Sequence, residues 1–442
     1  MSSSNTDEGL KKVIGVPALT LTILGGVIGA GIYALPAVVS VSLGAFGIFA
    51  YIVCGIMLAS IMLCYAEAGC RVSKSGGSYV YVENAFGKFS GYIINWLYTF
   101  GWGVIGSAAL MNILADSLAV LFPIFANGWM RAALFFFIIA AIMLVNIISS
   151  KHTVGFVKLI TIIKLIPLAG IIIFGFSHIQ SANLKWQQLP ELKTFSNTVL
   201  VLFFAFAGFE TSMCAGGEIK NPKRTVPLSI CLGGFIILVI YLLLQTVAQG
   251  VLGEQMSQYK EAPLAAVAEK IIGSAGATVL LIAAAVSCFG NTLLDIFCSP
   301  RTLFAGANDG LYPKFFGRIH KKFNTPYTAI LTYGTLIFIL SVSGGFRQLA
   351  ILASACILII YLAVLLSVVK LRLRNKEANK NSFKAPGGWI TPIVGIASII
   401  WLLTSLGKWE ILSTVIFMGA VSLIYIFSNT LIIKTKPDVK KV

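Results

Sequence analysis

Three ionisable side chains lie in apolar stretches, where a charge is expensive to bury. Lys164 interrupts the apolar run 162–167. Glu210 ends an aromatic run, and Asp295 lies within 291–297. A charge among apolar groups has to be paired, hydrated or used in function. These three residues are therefore the first candidates for binding a substrate or carrying a proton.

Glycines cluster in the first apolar stretch of the chain. Gly25, Gly26, Gly29 and Gly31 fall within a few residues of one another, and Pro36 follows. Each glycine costs an α-helix about 1 kcal/mol relative to alanine, and proline removes a backbone donor. Glycine also permits close helix packing, so this cluster alone leaves two interpretations open, a packing surface or an interrupted helix.

A second stretch, 203–212, favours the interrupted helix, because it again has a glycine in its middle, Gly208. The N–H groups at the start of a half-helix attract anions. Unpaired carbonyl groups attract cations in the same way. A site that offers both kinds of group suits the carboxylate and the ammonium of an amino acid.

The composition indicates which solvent surrounds these stretches. The 442 residues are 57% hydrophobic and 11% charged, whereas a soluble domain has about 25% charged residues. Lipid is the solvent that suits this surface. The eight cysteines show no disulfide or metal-binding spacing, and the segment 1–12 has no cleavable-signal pattern.

A membrane span needs about 20 apolar residues. By that measure the sequence predicts an all-α membrane protein with twelve transmembrane helices. The amphipathic segment 254–273 is predicted to be a surface helix instead. The predicted spans lie near 13–36, 43–67, 92–121, 131–149, 156–177, 196–217, 228–251, 276–304, 326–343, 348–369, 389–406 and 410–433.

The net charge of +17 reflects 33 Lys and Arg against 16 Asp and Glu. If the N-terminus is cytoplasmic, most of these basic residues fall in cytoplasmic loops and tails, as the positive-inside rule requires. Orientation thus explains the charge, and nucleic-acid binding is not expected. The sequence predicts a multi-pass protein of the cytoplasmic (inner) membrane, with the tails 1–12 and 434–442 both cytoplasmic.

The two glycine-interrupted helices each begin a group of five predicted spans, 13–177 and 196–369. Five is an odd number, so the second group would be inverted relative to the first. Paired interruptions in inverted halves point to a substrate site near the middle of the membrane. Such backbone is tolerated there only where it lines a cavity or is buried in protein. The segment 389–433 supplies two further helices.

Five short motifs follow one another along the chain. They are IGAGI at 28–32, GGSY at 76–79, FAGFE at 206–210, ExKNPxRxxP at 218–227 and RxxxAxANDGxxP at 301–313. Together they resemble the amino acid–polyamine–organocation (APC) superfamily of permeases and antiporters over nearly the whole chain. The resemblance implies a leucine-transporter-type fold, with a 5+5 inverted repeat, unwound helices 1 and 6, two C-terminal helices and transport by alternating access.

The resemblance also implies roles for single residues. Backbone groups of Ile28, Gly29, Ala30 and Gly31 would bind the substrate carboxylate. Carbonyl groups of Phe206, Ala207 and Phe209, on either side of Gly208, would bind the α-amino group. Tyr98 and Phe204 match aromatic gate residues, although Phe204 stands where a related antiporter has a larger tryptophan.

The buried charges have alternative interpretations. Lys164 would hold the shape of the unwound helix, or replace a sodium ion and lose a proton to couple transport, as the resemblance to sodium-independent members implies. Glu210 would cap the interrupted helix, carry a proton or link the gates. Asp295 stands where the related antiporter has an aromatic residue. It would meet a cationic or polar substrate side chain, or serve as partner for a buried hydroxyl or for Lys164.

The sequence therefore favours a sodium-independent secondary transporter of L-amino acids, either an exchanger or a proton-coupled permease. A basic amino acid or diamine antiporter is the alternative, although a diamine has no carboxylate for the first interruption. A channel or substrate sensor is more remote, since no filter or long extension is visible. No enzyme, cofactor or metal site is expected. The expected partners are a small amino acid or amine, protons and the bilayer, for a monomer or homodimer.

Overall fold

The computed structural model describes residues 14–29, 31–72, 76–148, 150–186, 188–308, 312–374 and 383–435. Within them the chain forms sixteen α-helices, numbered here in chain order. They are α1 Val16–Val27, α2 Gly31–Leu43, α3 Gly47–Arg71, α4 Ser78–Phe86, α5 Lys88–Trp96, α6 Ile105–Leu121, α7 Gly128–Ile148, α8 Ser150–Gly175, α9 Leu192–Phe206, α10 Pro222–Leu252, α11 Pro263–Ile272, α12 Ser274–Asn308, α13 Tyr327–Ser343, α14 Phe346–Arg374, α15 Ile390–Thr404 and α16 Lys408–Thr435.

The described part of the chain is helical throughout, as the composition predicts. Its only β-type pairing is an isolated bridge between Ile14 and Ile219. Nine helical stretches in this part are long and apolar enough to cross a membrane. Three shorter apolar helices accompany them: α1, α13 and α15. The all-α membrane architecture is confirmed, whereas the count of twelve spans remains a prediction.

The region between α10 and α12 differs from the sequence expectation. The predicted surface helix 254–273 is instead a short 3-10 helix, Gly253–Gln258, followed by the ten-residue α11. The first six residues of α11 are buried, because the helix packs against α2, α8 and α12. Its apolar face therefore covers protein, whereas the sequence pattern suggested only a half-exposed helix.

The first glycine cluster coincides with a gap in the α-helical backbone. Helix α1 ends at Val27, and α2 begins at Gly31. Within the gap, the Ile28 N–H still donates to the Leu24 carbonyl at 2.9 Å, and the Gly29 N–H donates to the Val27 carbonyl at 2.7 Å. The chain thus leaves α1 by one tight turn at Ile28 and Gly29, and α2 begins at Gly31. We call this gap the first break.

The second glycine stretch shows a similar gap, which we call the second break. Helix α9 ends at Phe206, Ala207 is extended, and a 3-10 helix runs from Phe209 to Glu218. Gly208 has a φ of +119°, a conformation that residues with a side chain rarely adopt. The backbone therefore changes from an α-helix to a 3-10 helix at Gly208.

The two breaks touch one another. A Cβ atom built on Gly26 would lie 2.7 Å from the Gly208 carbonyl oxygen, and one built on Gly208 would lie 2.5 Å from the Gly26 carbonyl oxygen. Both distances are shorter than any ordinary carbon–oxygen contact. Glycine is therefore required at both positions, because the two backbones meet without room for a side chain.

The remaining helices enclose these breaks. Helix α3 packs on α9, α10 and α14, and α12 packs on α6 and α8. The outer helices expose large apolar side chains, such as Phe137 on α7 at 69% and Ile416 on α16 at 61%. Because such a surface requires an apolar solvent, α7 and α16 are suited to face lipid.

Two ion-pair groups join the ends of helices within the described residues. Glu67 on α3 accepts hydrogen bonds from Arg71 at 2.6 Å, from Arg372 on α14 and from the Ala385 N–H at 2.9 Å. A separate pair joins Asp116 on α6 to Arg131 on α7 at 2.6 Å. Both groups lie away from the breaks and fix the helices that surround them.

The crossing of the two breaks yields a stability prediction. Gly208→Ala places a methyl group against the Gly26 carbonyl and forces an unfavourable φ, which together cost about 1–3 kcal/mol or more. We expect a lower melting temperature of the purified protein in detergent, measured by scanning fluorimetry. Gly419→Ala on α16 is the control, since nothing lies within 4 Å of a Cβ there. Equal melting of the two variants would contradict the crossing.

Candidate functional site

A cavity of about 80 Å³ lies beside the two breaks. Backbone of Gly29 and Gly31 forms one wall, and Ala207 and Gly208 form another. Helices α6 and α12 and the segment between α5 and α6 complete the lining. Several of the residues predicted for the substrate site therefore surround one space.

The first break contributes mainly through the start of α2. The first N–H groups of a helix have no partner inside it, and Gly31 lines the cavity at that position. The N–H groups of Ile28 and Gly29 already donate to carbonyl groups of α1. Ile28 is fully buried, while Ala30 lies outside the described residues. Of the three described residues among those predicted to bind a carboxylate, Gly31 is the best placed.

The second break contributes backbone, not side chains. Ala207 and Gly208 line the cavity. The Phe206 ring packs against Tyr241, and the Phe209 ring packs between Tyr65 and Tyr361, so both rings are fully buried away from it. Carbonyl contact with a substrate from this segment remains a prediction.

The ammonium of Lys164 binds the first break from behind. Its side chain reaches from α8 and is only 1% exposed. The Nζ atom donates to the Gly25 carbonyl at 2.8 Å, to the Ile28 carbonyl and to Asn291 Oδ1 at 3.1 Å. An ammonium has three donors, and all three are used here. Lys164 therefore binds the carbonyl end of α1 and links it to α12.

Asn291 connects the lysine to the cavity. Its Oδ1 accepts from Lys164, and the residue lines the cavity. A Cβ on Gly29 would lie 2.6 Å from Asn291 Nδ2, so the amide lies against the first break. The sequence analysis did not identify Asn291. The sequence signal for it was a polar residue at every fourth position of α12, which indicates a polar face on that helix.

Glu210 is buried directly behind the second break. Its side chain is 1% exposed, and its Oε2 accepts from the Gly208 N–H at 3.1 Å and from the Tyr361 hydroxyl at 2.5 Å. These contacts match the expected role as an internal partner for the interrupted helix. A role in carrying protons remains a prediction.

The two predicted gate residues lie at different depths. Phe204 lines the cavity, and its ring contacts those of Trp102 and Phe346 at centroid distances of 5.7 and 5.9 Å. Tyr98 is buried outside the cavity, and its hydroxyl donates to Thr211 Oγ1 at 3.1 Å. Trp102 and Thr211 line the cavity but were not predicted from the sequence.

Asp295 lines the cavity from α12. It accepts hydrogen bonds from Ser107 at 2.7 Å, from Tyr333 at 2.7 Å and from Ser299 at 2.7 Å. The carboxylate thus has buried hydroxyl partners, as one sequence-based alternative proposed. Among the described residues Asp295 forms no ion pair with Lys164, the partner that a second alternative named, and Lys164 is bound to Asn291. Contact with a substrate side chain, the third alternative, remains a prediction.

The residues that the structure describes include no group of three or more His, Cys, Asp or Glu side chains that could hold a metal ion. Around the two breaks lie backbone groups, one lysine, two separate carboxyl groups and neutral polar side chains.

Comparison with known proteins shows which sequences this chain resembles. The sequence model of the family described as "Amino acid permease" matches residues 14–441. The serine/threonine exchanger SteT of Bacillus subtilis (strain 168) is 29% identical over 412 residues, which cover 90% of this chain and 92% of the relative. The methylthioribose transporter of the same strain is 26% identical over 447 residues (96% and 95%), and its branched-chain amino acid permease BcaP is 25% identical over 426 residues (92% and 90%).

The contacts of Lys164 yield a second prediction. Lys164→Met retains an apolar side chain but removes all three donors, which leaves the buried carbonyls of Gly25 and Ile28 without this partner. An acceptor left without any partner costs about 1–3 kcal/mol, and the Ile28 carbonyl would keep only the Ser287 hydroxyl at 3.5 Å. We expect a clear loss of melting temperature, measured by scanning fluorimetry. Lys193→Met is the matched control, because Lys193 is exposed. A wild-type melting temperature for Lys164→Met would refute the anchoring role.

Proposed function

Because this chain belongs to the amino acid permease family, we propose that it is a sodium-independent secondary transporter that carries L-amino acids across the cytoplasmic membrane. Transport would proceed by alternating access, in which the cavity between the two breaks opens to each side in turn. The observation that carries the proposal is the position of the Lys164 ammonium at the carbonyl end of α1.

Lys164 supports sodium independence through its charge and its ligands. Carbonyl oxygens at the end of a half-helix carry partial negative charge and attract a cation. Two of these oxygens, from Gly25 and Ile28, already bind the lysine ammonium. A cation that belongs to the chain leaves no need for a dissolved sodium ion at that point.

The cavity supports an amino acid more than a simple diamine. The start of α2 at Gly31 offers N–H groups that suit a carboxylate. The end of α9 offers carbonyl groups near Ala207 that suit an ammonium. A diamine would leave the N–H groups at Gly31 without an anion. The two ends of an amino acid match both breaks.

The finer topology belongs to the same proposal. We place twelve transmembrane helices in a 5+5 inverted repeat plus two, with both termini cytoplasmic and the first and sixth helices unwound at the breaks. Nine long apolar stretches with three shorter apolar helices support the count. The repeats 13–177 and 196–369 each begin with a broken helix, which supports the inversion.

The proposed mode of transport is exchange or proton coupling. One is named an exchanger and another a permease. In this chain Lys164 and Glu210 are buried ionisable groups near the breaks, and either is suited to carry a proton. The oligomeric state, monomer or homodimer, is independent of this choice.

Transport without sodium is the direct prediction. Purified protein in liposomes loaded with unlabelled amino acids should take up radiolabelled L-amino acids from choline or potassium buffer as fast as from sodium buffer. Protein-free liposomes give the background. Uptake that collapses when sodium is withdrawn would show that the Lys164 ammonium does not replace the ion.

The need for a carboxylate is a separate prediction. In a thermal-shift panel, L-amino acids should raise the melting temperature, whereas the amine or amide made from the same amino acid should not, because neither carries an anion for the start of α2. Agmatine, putrescine and cadaverine extend the panel. A larger shift with these amines than with any amino acid would favour the diamine antiporter.

A further inference from the structure

A polar stripe runs along the face of α12 that meets the cavity. Ser287, Asn291, Asp295 and Ser299 follow at every fourth position, so they lie on one side of the helix. Ser287 and Asn291 face the first break, where they contact the Ile28 carbonyl and Lys164. Asp295 lies one turn further and lines the cavity itself. One end of the stripe, Ser287 and Asn291, therefore contacts the first break, whereas Asp295 faces the cavity.

Three hydroxyl groups hold the Asp295 carboxylate in place. Ser107 on α6 and Tyr333 on α13 donate to Oδ2, and Ser299 donates to Oδ1, each at 2.7 Å. An ionised carboxylate accepts about four hydrogen bonds, whereas a protonated one has to donate one. The three hydroxyl groups occupy three acceptor positions of the carboxyl group and leave one open, on Oδ1. The arrangement thus presents a fixed carboxyl group to the cavity, and a cationic ligand would stabilise its ionised form.

No protein cation balances this anion within the described residues. The ion pairs there involve Glu67 and Asp116, and Asp295 takes part in none. Lys164 uses its three donors on other atoms. A charge in an apolar surrounding is stabilised strongly by an opposite charge that arrives in the same space. A ligand that brings a positive charge to Asp295 would therefore be stabilised in this cavity.

Apolar surface lies beside Asp295. A Cβ on Gly103 would collide with the Tyr333 hydroxyl and would lie 3.3 Å from Asp295 Oδ1, so glycine makes room for the hydrogen bond from Tyr333 to Asp295. Trp102, Leu110 and Phe204 provide apolar surface in the same cavity. An apolar stem between these side chains, ending in a cation at Asp295, matches both features.

We propose that Asp295 selects amino acids whose side chain ends in a positively charged amino group, such as L-lysine or L-ornithine. The backbone groups of the breaks hold the α-carboxylate and α-amino group, and Asp295 binds the second amino group. This assignment rests on the proposed function and gives it a substrate class. A simple diamine reaches Asp295 as well but lacks the carboxylate, so it binds more weakly.

The test compares L-lysine with L-norleucine, which has the same four-carbon side chain without the amino group. Dissociation constants are measured on the purified full chain by isothermal titration, with thermal shift as a second readout. Wild-type protein is expected to bind L-lysine at least about tenfold more tightly than L-norleucine, as one ion pair predicts. Asp295→Asn keeps the shape but removes the charge and should bring the ratio close to one.

Asp116→Asn is the matched control. It neutralises a carboxylate on α6, the helix that carries Ser107, but its partner is Arg131 and it does not line the cavity. It should leave the lysine-to-norleucine ratio unchanged. The wild-type comparison stands without either variant, so a variant that fails to fold does not remove the test.

Three results would overturn the proposal. One is tighter binding of L-norleucine than of L-lysine by wild-type protein. The second is equal weakening of both ligands in Asp295→Asn, which would leave Asp295 a purely structural role. The third is a preference for L-serine over L-alanine with none for L-lysine, which would assign Asp295 to a hydroxyl. If neutral amino acids bind, these results leave the transporter assignment intact. If no amino acid binds at all, the proposed function itself fails.

Discussion

Lys164 reaches from α8 to the carbonyl groups of Gly25 and Ile28, where the hydrogen-bond ladder of α1 stops. An unpaired carbonyl group costs several kcal/mol in a membrane, so an open helix end there needs partners from elsewhere in the chain. The lysine provides them, and its third donor goes to Asn291 on α12. The first break, the cavity beside it and the link to α12 all depend on this one ammonium.

Other helices support the breaks in the same way. The Tyr241 hydroxyl on α10 contacts the Val27 carbonyl at 3.2 Å and the Ala205 carbonyl at 2.9 Å, so it touches both interrupted helices. Glu210 and Tyr361 secure the Gly208 N–H from the other side. Irregular backbone survives at this depth because side chains from three directions replace the hydrogen bonds that a continuous helix would have made.

The sequence predicted the parts of the site that leave a local trace. Glycine clusters mark both breaks, and Lys164, Glu210 and Asp295 are conspicuous as charges in apolar runs. Their partners were not predictable one by one, because Tyr333, Tyr361 and Asn291 come from distant segments and are ordinary residues for a membrane helix. The π-helical turn Leu97–Val104, which brings Trp102 to the cavity, has no sequence signature. Polar residues every fourth position along α12 were a readable signal of the face that meets the cavity.

The contact between Gly26 and Gly208 has a mechanical consequence. Two rods that touch at one point move least at that point when either pivots about it, and their far ends move most. In the alternating access proposed above, α1 and α9 would pivot about this contact, so that atoms beside it keep their spacing while the far ends of both helices move most. A small molecule bound there would keep its backbone contacts almost unchanged while its path shifts from one side of the membrane to the other.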